Sequence, residues 1–181
     1  MSALGDYLAR KREAVATFLS RILASGYAPR SLKAIVTVEE RSGIRRVRLR
    51  DHQILADSPP DLLGFDLGPS SPELALGALG SCLAHSWLIQ AARLGVTLDH
   101  VEVTVEARID QRAGEAGHEA TLREPQGLTY TVTVHSDASD DALALVHEAV
   151  ERLCPILSLM RRPQSVVGGF WRPTPLAEGI S

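Results

Sequence analysis

Cysteine is scarce in this chain: its 181 residues hold only Cys82 and Cys154. In a reducing compartment two such residues are more often free thiols, catalytic groups or redox sensors than a structural staple. An excess of positive charge is missing as well. Nineteen Lys and Arg against 22 Asp and Glu leave a formal net charge of -3, with no basic surplus to serve a nucleic-acid backbone. Long hydrophobic runs are also absent. Asp6, Arg10, Lys11, Arg12 and Glu13 occupy the stretch that a signal peptide would keep apolar, and no later run reaches the roughly 18 apolar residues of a membrane span. These absences predict a cytoplasmic protein with neither a membrane nor a nucleic-acid partner. What remains is ordinary: 45% hydrophobic and 23% charged residues, enough for one core and one globular domain.

Leu4, Tyr7, Leu8, Val15, Phe18, Leu19, Ile22 and Leu23 recur at helical spacing until Gly26, predicting an amphipathic N-terminal helix. Residues 32–40 and 44–50 alternate around Ser42-Gly43 and predict a β-hairpin, with Val47 and Leu49 on one face and Arg46, Arg48 and Arg50 on the other. A loop rich in Pro, Gly, Ser and Asp follows over residues 57–72. A long helix then starts, with Ser71 as the expected N-cap, Pro72 at its first position and Glu73 in the electropositive first turn, and runs to about Arg93. Between Leu74 and Ala92 its polar residues are only Ser81, His85, Ser86 and Gln90, so it reads as a central element. Gly77 and Gly80 inside it predict a close neighbour at the backbone. Alternation over residues 101–109 and 128–134 predicts two antiparallel strands joined by a long loop. A helix capped at Ser139 or Asp140 places Leu143, Val146, Val150 and Leu153 inward and ends at Cys154-Pro155; a short helical turn and a strand over residues 164–171 complete the order. The resulting class is α+β, helices packed on antiparallel sheet.

Cys82 lies in the third turn of its helix, where the dipole has faded and apolar surroundings raise a thiol pKa. A reactive thiolate there requires a cationic or hydrogen-bonding neighbour. Ala75, Ala78, Leu79, His85, Ser86 and Ile89 share its face, and His85 is the expected local partner. Glu73, nine residues earlier, falls about 180° round the helix and roughly 13.5 Å along it, so it can act only through a bridging Arg or across a subunit boundary. Cys154 at a helix end suits a resolving thiol better than a primary nucleophile. Inert packing of both cysteines is the competing reading. A metal site on Cys82 and His85 has no second ligand pair at such spacing, so no metal or cofactor is expected.

The chain resembles the OsmC/Ohr family of thiol-dependent peroxidases, in its OsmC-like branch. The resemblance rests on Arg50-Asp51-His52, Asp57-Ser58-Pro59, Gly64-Phe65-Asp66, the run from Gly68 through Glu73-Leu74 to Leu79-Gly80-Ser81-Cys82, Ala91-Ala92-Arg93-Leu94-Gly95-Val96, Leu98-Asp99-His100-Val101-Glu102-Val103, and Cys154-Pro155. It covers about residues 30–172, leaving residues 1–28 as a helical extension and 173–181 as a tail. It implies an OsmC-like fold: antiparallel sheets around a long central helix, in an intertwined homodimer with active sites at the interface. It further implies that Cys82 is the peroxidatic thiol, Cys154 the resolving one, and Glu73 part of an Arg–Glu pair that activates the first. The segment from Gly64 to Gly68, where the family carries its arginine, has none, which leaves Arg48 or Arg50 as candidates. The implied partners are a small organic hydroperoxide and a dithiol reductant such as a lipoylated protein. A non-catalytic redox sensor or small-molecule-binding protein on the same fold is the alternative.

Overall fold

The structure is a computed structural model describing residues 3–172; the expected tail over residues 173–181 lies outside the described residues. Its elements are α1 (Ala3–Leu23), β1 (Ile35–Val38), β2 (Arg45–Leu49), β3 (His52–Ala56), a 3-10 turn (Pro60–Leu62), α2 (Ser71–Leu94), β4 (His100–Arg108), β5 (Gln126–His135), α3 (Asp140–Leu153) and α4 (Pro155–Arg161). The class is the expected α+β. β1, β2 and β3 form one antiparallel sheet in sequence order, and β4 pairs with β5 in a second, with Val101 opposite Val134 and Val103 opposite Val132.

The core sits on α2. Leu79, Leu83, Trp87 and Ala91 are buried there against Leu98, Val146 and Val150 of the neighbouring segments, Leu157 of α4 and Leu8 of α1. One face of the β4–β5 hairpin closes over them through Val103, Val105, Tyr130 and Val132. At Gly80 that face comes close: a Cβ added there would lie 3.3 Å from Val105 Cγ2, so any larger residue would push the valine side chain back by a few tenths of an ångström. Gly77 has open space around it instead. α1 lies on α2 as an added helix, and Arg12 Nε donates to Ala92 O at 2.9 Å, satisfying a carbonyl in the last turn of α2.

The start of α2 differs by one residue from the expectation. Ser70 is the N-cap, because Glu73 reaches back three positions and its Oε2 accepts from Ser70 N and from Ser70 Oγ, both at 2.7 Å. Pro72 therefore stands one place further into the first turn, where its missing N–H is still without cost. Gly95, at φ 76°, closes the helix with its N–H on Ala91 O.

Upstream, Asp57 organises the loop that delivers the chain to α2. Its carboxylate accepts from Ser58 N (2.8 Å), Phe65 N (3.0 Å) and Leu67 N (3.2 Å), while Arg45 Nη2 donates to Asp57 O at 2.7 Å. The Ser58 N–H, and then those of Leu67 and Phe65 with the Arg45 charge, hold the Asp57 carboxyl below the usual range despite its burial.

Four expectations are corrected. The predicted hairpin is a three-stranded sheet: β3 follows β2 through Arg50-Asp51, a turn with none of the usual Gly or Asn signals, and Arg50 itself adopts φ 57°. Residues 164–171 form no strand, since no strand among the described residues pairs with them; Val166, Val167, Phe170 (97% exposed) and Trp171 project outward. Leu153 is exposed and does not join the core. Finally, α2 is long and apolar enough by length and composition to cross a membrane, because hydropathy averages over the four polar residues that interrupt the run. Here it is the core helix, packed by α1, β4, α3 and α4.

Candidate active site

Local sequence explains why the two cysteines end where they do. Pro155 cannot continue α3, so the chain turns at Cys154, which is at once the C-cap of α3 and the N-cap of α4. Its N–H donates to Val150 O at 2.9 Å, and its own carbonyl accepts from Ser158 N at 3.0 Å. The expectation that Cys154 lies only at a helix C-terminus is therefore half of its situation. The corner packs on the middle of α2 and brings Cys154 Sγ to 3.5 Å from Cys82 Sγ, donating to it. Both thiols are free. A disulfide needs sulfurs about 2.05 Å apart, so closing the pair takes an approach of about 1.5 Å.

The two thiols are not equivalent. Cys154 is fully buried in the core, whereas Cys82 is partly exposed. Burial pushes the Cys82 thiol up from its ordinary value, and Cys154 pushes it further; the N–H of Ile156 and the hydroxyl of Ser86 act against this by hydrogen bonding to the sulfur. Both donors follow from the fold. Ile156 is the first residue of α4 with an amide hydrogen, since Pro155 has none. Ser86 lies one turn beyond Cys82 on the same face of α2 and is buried.

His85, the expected local partner, is engaged elsewhere. Its Nε2 lies 3.4 Å from Lys11 Nζ of α1, and burial, then the Lys11 charge, push its pKa down. Sequence reasoning placed Ser86 on the correct face but favoured His85. The Ile156 amide gave no signal at all, because a backbone donor 74 positions away is visible only once α4 is packed.

The remaining expected residues are not at the thiols within this chain. Glu73 is occupied as the cap of α2, where the Ser70 hydroxyl and then its N–H hold its carboxyl below the usual range. It lines a cavity of about 570 Å³ at that end of the molecule, together with Arg45, Asp57, Leu76, Arg108 and Ile109, and neither cysteine borders it. Arg48 and Arg50 are exposed on β2 and the turn after it. The β1–β3 sheet makes no extensive contact with α2 or α3. Among the described residues no group of three or more His, Cys, Asp or Glu side chains converges as a metal site.

A family model described as OsmC-like protein matches residues 64–167. Among solved structures, an OsmC-like protein from Mycoplasma pneumoniae is similar at 13% identity and TM-score 0.62, over 74% of this chain and 89% of that one. An OsmC-like protein of unknown function from Vibrio cholerae is similar at 16% identity and TM-score 0.55, over 72% and 94%. An organic hydroperoxide resistance protein OsmC from Legionella pneumophila is similar at 18% identity and TM-score 0.52, over 74% and 91%. No curated protein matches the chain.

Proposed function

The chain belongs to the OsmC-like protein family, and on that premise we propose that it reduces organic hydroperoxides with Cys82 as the attacking thiol and Cys154 as the resolving one. The observation that carries the reading is the 3.5 Å approach of a partly exposed thiol to a buried one. The Cys82 thiolate attacks the distal peroxide oxygen; the O–O bond breaks, an S–O bond forms, and the alkoxide leaves as alcohol after taking a proton. Cys154 then attacks the sulfenic sulfur, an S–S bond forms, and hydroxide departs as water. The sum is one hydroperoxide reduced to alcohol and water and two thiols oxidised to one disulfide. A dithiol, such as a lipoyl group, would return the pair to thiols by exchange. The name of the Legionella pneumophila relative, organic hydroperoxide resistance, is in keeping with this substrate class.

The working unit in this reading is a homodimer. Its support is the apolar surface that one chain leaves open on β1 and on residues 166–171. Glu73 and one of Arg48 or Arg50 would then reach a thiol pair from the other subunit. A second reading, a redox sensor or small-molecule-binding protein, is favoured by one fact: among the described residues no guanidinium acts on Cys82, and its thiol is pushed up.

Stoichiometric cumene hydroperoxide followed by mass spectrometry separates them. The peroxidase reading expects loss of two hydrogens, abolished in Cys82→Ser and in Cys154→Ser. An unchanged thiol mass would sink it. For the dimer, sedimentation at micromolar concentration is expected to give a single two-chain species, and a folded monomer would refute it.

A further inference from the structure

The formal charge of -3 is unevenly placed along the chain. Between residues 10 and 33 stand six cations, Arg10, Lys11, Arg12, Arg21, Arg30 and Lys33, against the single carboxylate of Glu13, a net +5 that leaves -8 on the other residues. Among the described residues none of the six pairs with a carboxylate. Lys11 Nζ reaches Tyr7 and His85, Arg12 Nε donates to Ala92 O, and Arg21 lies over the Phe18 ring at 5.5 Å. Cations left unneutralised on one segment of an acidic chain make a field of one sign, which attracts an anionic surface.

Apolar side chains stand among these cations. α1 repeats Leu4, Leu8, Val15, Leu19 and Ile22 along one stripe, yet of its residues only Gly5 and Leu8 are buried, and its extensive contacts are with α2 alone. Phe18 is exposed, and so is every residue from Leu23 to Ala34, with Leu23 at 80% and Leu32 at 90%. A nucleic acid would neutralise the cations and leave these aliphatic side chains in water. A bilayer surface with anionic headgroups accommodates both, the cations at the headgroups and the apolar side chains at the acyl boundary.

We propose that residues 10–33 are a docking surface for an anionic phospholipid bilayer, with Phe18, Leu23 and Leu32 entering its boundary and Arg21, Arg30 and Lys33 held at its headgroups. The expectation of no membrane partner rested on run length and total charge, and a chain lying on a bilayer needs neither a span nor a positive total. Buried Leu8 and the bond from Arg12 keep α1 on α2, so docking leaves the core folded.

The test uses the full chain with vesicles and needs no peroxide. Vesicles of equimolar phosphatidylcholine and phosphatidylserine are expected to carry the protein into the pellet at low salt, and vesicles of phosphatidylcholine alone to leave it in solution. Salt at about 1 M, where the screening length is about 3 Å, weakens the binding. Arg21→Gln, Arg30→Gln and Lys33→Gln together are expected to weaken it roughly a hundredfold, and Leu23→Ser with Leu32→Ser by roughly tenfold or more. Circular dichroism should be unchanged in both variants, since the replaced side chains are exposed. No binding to the mixed vesicles, equal binding to both kinds, or variants that bind as the parent does would overturn the proposal. So would tighter binding to duplex DNA than to the mixed vesicles, which assigns the segment to nucleic acid. A Gln variant that moves the sedimentation equilibrium toward single chains, while the parent ignores vesicles, assigns it to a second copy instead.

Discussion

The half of the molecule that holds the thiols buries Leu83, Leu98, Val146, Val150 and Cys154 completely, whereas Val36 and Val38 of β1 and Val166, Val167, Phe170 and Trp171 after α4 stay largely in the open. Both regions carry many apolar residues, so hydrophobicity alone does not separate them. The difference is a covering element. α2 is wrapped by α1, the β4–β5 hairpin, α3 and α4, while among the described residues no helix or sheet lies across the apolar side chains of the β1–β3 sheet or of the residues after α4. Apolar strand-forming segments left uncovered are templates for association. The comparison teaches that one chain alone brings the two sulfurs together, and that these exposed apolar side chains lie on other elements, β1 and the residues after α4.

Truncation on the two sides gives the largest contrast. Leu83→Ala removes a fully buried side chain at the centre of the core and is expected to cost about 2–5 kcal/mol in urea denaturation. Trp171→Ala, at a position 82% exposed, is expected to change the chain's own stability by less than about 0.5 kcal/mol and to shift the sedimentation equilibrium toward single chains instead. Equal losses of stability in the two variants would erase the distinction.

The pH dependence of the thiols is a smaller effect. Since burial raises the Cys82 pKa, the thiol holds its proton further up the pH scale, and iodoacetamide labelling of the wild type should keep climbing beyond the ordinary free-cysteine range of about 8.5. A folded-state pKa above the unfolded one also means that stability present below the unfolded value is lost as pH rises through the folded value. A labelling plateau at or below pH 7 would place a cation beside Cys82 and break the picture of a neutral surround.

The smallest expected effect distinguishes two roles of Glu73. Glu73→Gln keeps an acceptor for Ser70 and Glu73→Ala does not, so thermal melting should show the Ala variant as the less stable of the two. If Glu73 serves only as a cap, the rate of hydroperoxide consumption by the Gln variant equals that of the wild type. A slower Gln variant with unchanged melting assigns the charge a part in the chemistry.

Local periodicity alone was enough to determine α1, α2, the β4–β5 pair and α3, because the 3.6- and 2-residue repeats of Leu79-Leu83 or Val101-Val103-Val105 are properties of neighbouring residues. The family marks around Cys82 and Cys154 were equally legible, as was the close approach at Gly80. The tertiary structure decided the rest. It fixed the 3.5 Å sulfur contact, the turn of His85 toward Lys11, the amide of Ile156 and the hydroxyl of Ser86 at Cys82, and it left residues 164–171 without a ladder. The physical reason is range: helix and strand follow from contacts a few residues apart, whereas a sulfur's surroundings depend on how α4, 74 positions along the chain, is seated on α2, and a strand exists only where another strand offers its free edge.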